Sequence, residues 1–412
     1  MKMDESNPGA ESAVGTQASV LADTLGQNMR IVQAVFGVFH HFGLASELNK
    51  RGHLECIYST FPWQRLKREA LPREKVKTFP WIHTPILLMA RHGWLPDWAD
   101  DELGLLNAKL FDEWTARVIP ECDAFIGISG AGLKTGQLVQ QRGGRYICDR
   151  GSTHIRYQDD LVTEELQQWG CTRRSCDPRD IAREEQQYAV ADLITVPSSH
   201  SRRTYIEMGI PGDKVRTIPY GISLTNFFPE GEPPTDRFEV LFVGAVGLHK
   251  GVPYLLQAFA KVRHPNKRLR IVGDMLENFR AVLPGLPQKD VEFVGRLPRE
   301  GVRKAMSTSH VMVLPSIDEG LALVQGEALA CGCPVIATTN TGAEDLFTDG
   351  VEGFILPIRD VDAMAERMQQ LADDPALRAR MSEAGLLRVR SMGGWSTYGD
   401  QWEALLHQIT RK

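Results

Sequence analysis

The sequence predicts an α/β protein of two doubly wound, Rossmann-like domains that face each other across a cleft. Three observations carry this. The chain has 412 residues, and at about 150 residues per domain that length holds two to three domains. Short apolar runs of strand character alternate with helical patterns, as in parallel sheets covered on both faces. The alternation breaks at Pro229-Glu230-Gly231-Glu232-Pro233-Pro234, a semi-rigid proline-rich connector, and then restarts.

The elements follow in order. Met1 to Asn28 is polar, acidic and rich in small residues, and it reads as a disordered tail without a signal-peptide core. Ile31 to Phe36 reads as a buried strand ended by Gly37. Leu44, Ala45 and Leu48 share a helical face that stops at Gly52, and Leu54 to Tyr58 is the next strand. Leu103, Leu106, Leu110, Phe111 and Trp114 form a helical stripe, followed by strands at Ala124–Ile128, Arg145–Cys148 and Leu193–Val196. Beyond the connector come a strand at Val240–Val243, a helix at Tyr254–Val262, and strands at Leu269–Val272, Val311–Leu314 and Val335–Ala337. A helix from about Trp395 to Ile409 closes the chain. Ligands of such sheets sit at the carboxyl ends of the strands, so both domains would line the cleft.

Composition excludes several classes. Lys+Arg 47 against Asp+Glu 52 leaves a formal charge of −5, so no basic field points to nucleic acid. At 42% hydrophobic and 24% charged the chain reads as a soluble globular protein. It has no apolar run of about 18 residues, the length a membrane-spanning helix needs, and a cytoplasmic location is expected. Seven cysteines, an odd count with no C-x-x-C, argue against a disulfide framework or a zinc ribbon. Cys171 with Cys176, and Cys331 with Cys333, read as reduced structural pairs.

The densest chemistry runs from Pro315 to Ala330. There a strand meets a polar turn and then a helix ended by Gly332 and Pro334. A helix N-terminus offers free N–H groups and a partial positive charge, which suits a phosphate. Glu319 and Glu327 are eight residues apart. On one continuous helix that separation gives about 12 Å of rise and about 80° of rotation, comparable to a sugar–diphosphate–ribose span. A second strand–glycine loop–helix unit runs from Phe242 through Gly244, Gly247, Lys250 and Gly251. Lys250, a cation near a helix start, is electrostatically misplaced unless an anion joins it.

These residues resemble glycosyltransferase family 4, the retaining nucleotide-sugar enzymes of GT-B fold. The pattern P-S-x-x-E-G-x-x-L-x-x-x-E-A-x-A-x-G-x-P-V-I carries the likeness, with the Gly244–Gly251 loop, Ile271-Val272-Gly273-Asp274, Val294-Gly295, Asp349-Gly350-x-x-Gly353 and Ile218-Pro219-Tyr220-Gly221-Ile222. It is specific over about Arg216 to Leu371 and weaker over Ile31 to Ser201. The resemblance implies a retaining transfer of a sugar from a UDP- or GDP-type donor to a hydroxyl acceptor, without metal or other cofactor. Such transfers serve polysaccharide, glycolipid or lipid-linked glycan synthesis. It implies that Lys250 meets the donor diphosphate, with Gly247 in the same loop and backbone amides from Gly320 through Leu321 and Ala322 to Leu323. Glu319 would bind the sugar hydroxyls, Glu327 the ribose, and the backbone near Leu297 would border the base. Gly37 would let the first domain approach the diphosphate. By the same likeness residues 29–228 form an acceptor-side domain, 229–392 a donor domain, and 393–412 a helix returning to the first domain.

Two positions depart from the family pattern. Ala245 stands where an arginine is common, five residues before Lys250. The first-domain histidine that faces the donor sugar has no direct counterpart in Tyr146 to His154. Arg150 and His154 are the two candidates, with His40 and His41 after Gly37 as further ones. A binding protein without catalysis, or another GT-B enzyme such as an epimerase, is the alternative reading. Ser129 to Thr135 hints at a P-loop, yet Ile128 and Leu133 stand where the glycines must be. Asp360-Val361-Asp362 reads as a helix cap rather than a metal motif. Between Phe61 and Pro80, Arg65, Lys67, Arg68, Arg73, Lys75 and Lys77 mix with Phe61, Trp63, Phe79 and Trp81. Such a stretch suits anionic lipid head groups, so a peripheral contact with the inner membrane face is a candidate beside a plain solvated loop.

Overall fold

A computed structural model describes residues 28–92, 94 and 97–410. The tail read from Met1 falls outside them up to Gln27. The first sheet contains β1 (Ile31–Val35), β2 (Leu54–Ser59), β3 (Val76–Thr78), β4 (Ala124–Ile128), β5 (Arg145–Asp149), β6 (Leu193–Val196) and β7 (Val215–Thr217). Its strands are parallel in the order β3-β2-β1-β4-β5-β6-β7. The second contains β8 (Phe238–Val243), β9 (Lys267–Val272), β10 (Val291–Gly295), β11 (Val311–Leu314), β12 (Val335–Thr338) and β13 (Gly353–Leu356). These are also parallel, in the order β10-β9-β8-β11-β12-β13. Helices on both faces bury the central strands completely, which is why β1, β11 and β12 read as near-continuous apolar runs. The predicted α/β architecture of two doubly wound sheets is the one observed.

The strand orders place the site. Each sheet reverses direction beside its first strand, between β1 and β4 and between β8 and β11. Loops leaving neighbouring strands at such a point diverge and open a crevice at the carboxyl edge. In the second sheet this brings together the loops after β8 and β11, which carry Lys250 and Glu319.

Four strands, β3, β7, β10 and β13, were not legible in the sequence. β3 and β7 have three residues each, with Lys77 and Arg216 at their centres, and β10 is a half-exposed edge strand. Helix Asp97–Val118 differs from its predicted stripe, because Leu106 and Leu110 face outward while Leu105, Ala108, Phe111 and Thr115 are buried. Asp360 caps helix Val361–Asp373 by accepting from the Ala363 amide at 2.9 Å. The connector is pinned rather than loose. The Glu230 amide donates to Ser307 Oγ at 2.9 Å, and Arg303 donates to the Glu230 carboxylate at 2.8 Å.

The final helix, Trp395–Thr410, lies on helix His41–Lys50 of the first sheet. Arg51 donates to the Ser396 carbonyl at 2.9 Å, and His53 meets Glu403 at 2.8 Å. Trp402 is fully buried. No helix of the described residues is long and apolar enough to cross a membrane.

Candidate active site

The site is built from two welded loops of the second sheet. After β8 the chain makes one 3-10 turn, Leu248–Lys250, and reverses at Gly251 with φ +66°. A methyl at Gly251 would lie 1.9 Å from the Pro315 carbonyl oxygen, so only glycine lets this loop pass beneath the one after β11. The Ile317 amide then donates to the His249 carbonyl at 2.9 Å. The loop after β12 supports the other side, where the Glu319 amide donates to Asn340 O at 2.9 Å and the Ala322 amide to Thr341 O at 3.2 Å.

This local structure corrects one expectation. Glu319 and Glu327 do not share a continuous helix, because the helix begins only at Leu323 and runs to Ala330. Residues 315–322 form an extended loop held by backbone bonds to the neighbouring loops. The Ala322 amide is also occupied by Thr341, whereas those of Leu321 and Leu323 have no acceptor among the described residues.

Glu319 accepts hydrogen bonds from Lys250 Nζ and, at 3.0 Å, from Ser316 Oγ. Both charged side chains are about one-fifth exposed, at 19% for Lys250 and 18% for Glu319. They open onto a cavity of about 460 Å³, also lined by Leu297, Leu321, Ala322, Leu323 and Glu327. The cavity thus collects seven of the predicted residues. Arg299 lines it as well, and the sequence reading missed it. Its signal was the one used for Lys250: Arg299 is the first residue of helix Arg299–Ser307, where the helix dipole disfavours a cation. A larger cavity of about 610 Å³ lies at the amino ends of the strands, behind Pro229–Thr235. Sheets of this type use the opposite edge, where the cavity around Lys250 lies together with one of about 620 Å³ lined by His249, Leu276 and Asp318; the first, which holds Lys250, Glu319 and Glu327, is the candidate.

Other predicted residues lie elsewhere. Gly320 turns away from the cavity, its carbonyl accepting from Ser198 and Ser201 of the first half. A methyl on Gly320 would lie 2.1 Å from the Gly151 carbonyl oxygen, so the two halves touch at this residue. Thr153 Oγ1 adds a 2.7 Å bond to Asp318. Gly247 packs under Leu276. Gly37 turns the chain after β1 with φ +68°, but its amide is taken by Thr60 Oγ1 at 2.9 Å.

Neither Arg150 nor His154 faces the cleft. Arg150 is absorbed by Glu184 at 2.7 Å and Gln158 at 2.8 Å, a paired, buried guanidinium whose pKa is raised despite its desolvation. His154 caps helix Ile155–Gln168, accepting from the Arg156 amide at 3.2 Å, with Tyr188 and Tyr205 against its ring. Burial pushes its pKa down to about 4 and keeps it neutral. Among the described residues two groups bring three potential metal-ligand atoms within 4.8 Å of one another: His40, His41 and Asp149, and His53, Glu403 and His407.

Comparison with known proteins bears on the family and the fold. Residues 225–388 match the family described as Glycosyl transferases group 1. D-inositol 3-phosphate glycosyltransferase of Kribbella flavida is 28% identical over 239 residues, 52% of this chain and 56% of that protein. The chain thus spans about half the length of this relative. Alpha-D-kanosaminyltransferase of Streptomyces kanamyceticus is 28% identical over 84% of this chain and 90% of its own length. Among solved structures, HepE of Anabaena in complex with UDP and glucose superposes with a TM-score of 0.65 at 16% identity, covering 93% of this chain and 100% of that one. The fold is therefore GT-B.

The Glu327 carboxyl is desolvated, with only Arg299 favouring its charge, and its pKa is pushed up to about 7. The unfolded chain loses this proton at the ordinary carboxyl value, so the folded state holds it longer and stability falls as pH rises toward the folded pKa. Glu327→Gln keeps the shape and removes the ionisation. It is expected to raise the melting temperature at about pH 8 and leave it near wild type at about pH 5. Equal shifts at both pH values in thermal unfolding would contradict this.

Proposed function

We propose that this member of the glycosyl transferases group 1 family moves a sugar from a nucleotide-diphosphate donor, UDP- or GDP-type, to a hydroxyl acceptor with retention and without metal. The observation that carries the reading is the pairing of Lys250 with Glu319 at the mouth of a cavity that also holds Leu297 and Glu327. Breaking a glycosyl–phosphate bond places negative charge on the leaving diphosphate and positive charge on the sugar. Lys250 and the amides of Leu321 and Leu323 meet the first, and preorganised donors of this kind lower the barrier. Glu319 takes the sugar hydroxyls, Glu327 the ribose, and the backbone near Leu297 borders the base. An incoming diphosphate competes with Glu319 for Lys250, so donor binding and the orientation of Glu319 are coupled. Arg299 supplies a cation in the cavity that lacks an arginine at Ala245.

Residues 29–228 serve the acceptor, 229–392 the donor, and 393–412 tie the second half to the first. The reaction fits polysaccharide, glycolipid or lipid-linked glycan synthesis in the cytoplasm. Ala245 and the inward-turned Arg150 and His154 favour one other reading, a sugar-nucleotide binding protein without turnover.

In a panel of UDP-, GDP- and ADP-sugars, one donor is expected to stabilise the protein and release its diphosphate in the presence of an acceptor. Glu319→Ala and Lys250→Ala should each lower that turnover by about 10²–10³-fold, as the loss of a charge-stabilising group does. Near-wild-type rates in both would remove the assignment. Binding without release from any donor would establish the non-catalytic reading.

A saccharide or lipid-linked acceptor fits this chemistry, and a peripheral membrane contact is the lipid form of it. Arg65 and Arg73 are exposed but lie over the Phe61 and Trp63 rings, while Lys75 holds the Leu54 carbonyl at 2.7 Å. Lys67, Arg68 and Lys77 point outward, and Trp81 and Trp94 are exposed nearby in sequence, at 76% and 74%. Wild-type protein should pellet with vesicles containing anionic lipid. The triple variant Lys67→Glu, Arg68→Glu, Lys77→Glu should stay in the supernatant, and equal pelleting of both would end the membrane reading.

A further inference from the structure

We propose that Ser316 is the positioning residue that keeps Glu319 aimed at the donor sugar when Lys250 turns to the diphosphate, an inference that rests on the transfer proposed above. Glu319 is held through one oxygen only. Its Oε1 accepts from two donors of different kinds, the Lys250 ammonium and, at 3.0 Å, the Ser316 hydroxyl. Oε2 accepts no hydrogen bond among the described residues. An ionised carboxylate only accepts, and each of its oxygens has lone pairs to offer, so Oε2 is the atom left for a sugar hydroxyl.

The two donors differ in freedom. The Lys250 ammonium is a compact point charge at the end of a long stem, and it turns toward whichever neighbouring anion attracts it more. A diphosphate carries more negative charge than one carboxylate. Ser316 is fully buried, and a single torsion separates its hydroxyl from a backbone with little freedom. Its carbonyl accepts from Thr338 Oγ1 at 2.5 Å, at the end of β12. Before it, the Pro315 carbonyl oxygen closes over Gly251, where a methyl would lie 1.9 Å away. After it, the Ile317 amide donates to the His249 carbonyl at 2.9 Å. The chain is thus pinned on both sides of Ser316, to β12 and to the loop after β8.

When the diphosphate takes the ammonium, Glu319 loses its cation. Its side chain then keeps one donor among the described residues, the Ser316 hydroxyl on Oε1. A hydrogen bond to an ionised acceptor is stronger than one between neutral groups, so this contact gains as the ammonium leaves. It fixes Oε1 against the loop and leaves Oε2 for the sugar. Without the hydroxyl, only the departing ammonium would hold the side chain, and the freedom it regained would have to be lost again for the sugar to be gripped. Ser316 itself touches no reactant.

The test is a double-mutant cycle in the full chain, with the nucleotide sugar that the wild type turns over. Ser316→Ala should leave the affinity for UDP or GDP near wild type and lower turnover about 10–100-fold, the worth of a hydrogen bond to a charged group. In the Glu319→Ala background the same substitution should change turnover by less than about twofold, because Ser316 acts only through Glu319. A merely structural serine would lower turnover equally in both backgrounds, and that additivity would overturn the proposal. So would wild-type turnover in Ser316→Ala, or nucleotide affinity lost in step with turnover. A second readout needs no variant. In crystals of the wild type with UDP or GDP, Lys250 Nζ should lie on the diphosphate while Ser316 Oγ stays on Glu319 Oε1. A Glu319 that has left Ser316 and kept Lys250 would contradict the assignment. The two readings fail separately. A wild type that releases no diphosphate from any donor sinks the transferase reading, whereas a working wild type with an equally active Ser316→Ala sinks the role of Ser316 alone.

Discussion

The ion pair between Lys250 and Glu319 is the contact on which the second half of the molecule converges. Each partner sits on a loop with little freedom. Gly251 passes under Pro315 with no room for a side chain, and the loop after β11 is bonded to the loops after β8 and β12. The pair is mostly shielded from water, so its charges interact more strongly than surface charges do. An anion entering the cavity meets an ammonium already positioned. It does not have to order a flexible side chain, and that is the economy of a preorganised site.

The first half contributes by contact at the same loop. Ser198 and Ser201 hold the Gly320 carbonyl, Thr153 holds Asp318, and Gly151 closes on Gly320. Farther out, Arg359 donates to Glu165 at 2.7 Å, and Ser199 to Asp345 at 2.7 Å. The two sheets thus meet edge to edge at their carboxyl ends, and the residue between Glu319 and Leu321 is shared by both.

Much of this architecture was legible in the sequence for physical reasons. Central strands buried on both faces must be apolar throughout, so β1, β4, β8, β11 and β12 stood out. Edge strands β3 and β7 carry a lysine and an arginine at their centres and were invisible to any apolar pattern. In the candidate site, residues set by local motif, namely Lys250, Glu319 and Glu327, lie on one cavity. Residues set by long-range pairing were misread. Arg150 and His154 looked available because nothing nearby in sequence announces Glu184, Tyr188 and Tyr205 as their neighbours. The continuous helix failed for a related reason, since the backbone of Asn340 and Thr341 holds Glu319 to Ala322 in an extended loop.

The place where a nucleoside diphosphate binds is the most direct test of the Lys250–Glu319 site. A crystal structure with UDP or GDP should show the diphosphate beside Lys250 and the amides of Leu321 and Leu323, with the ribose at Glu327 and the base along Leu297. Density for the nucleotide at any other place, with that cavity filled only by solvent, would contradict it.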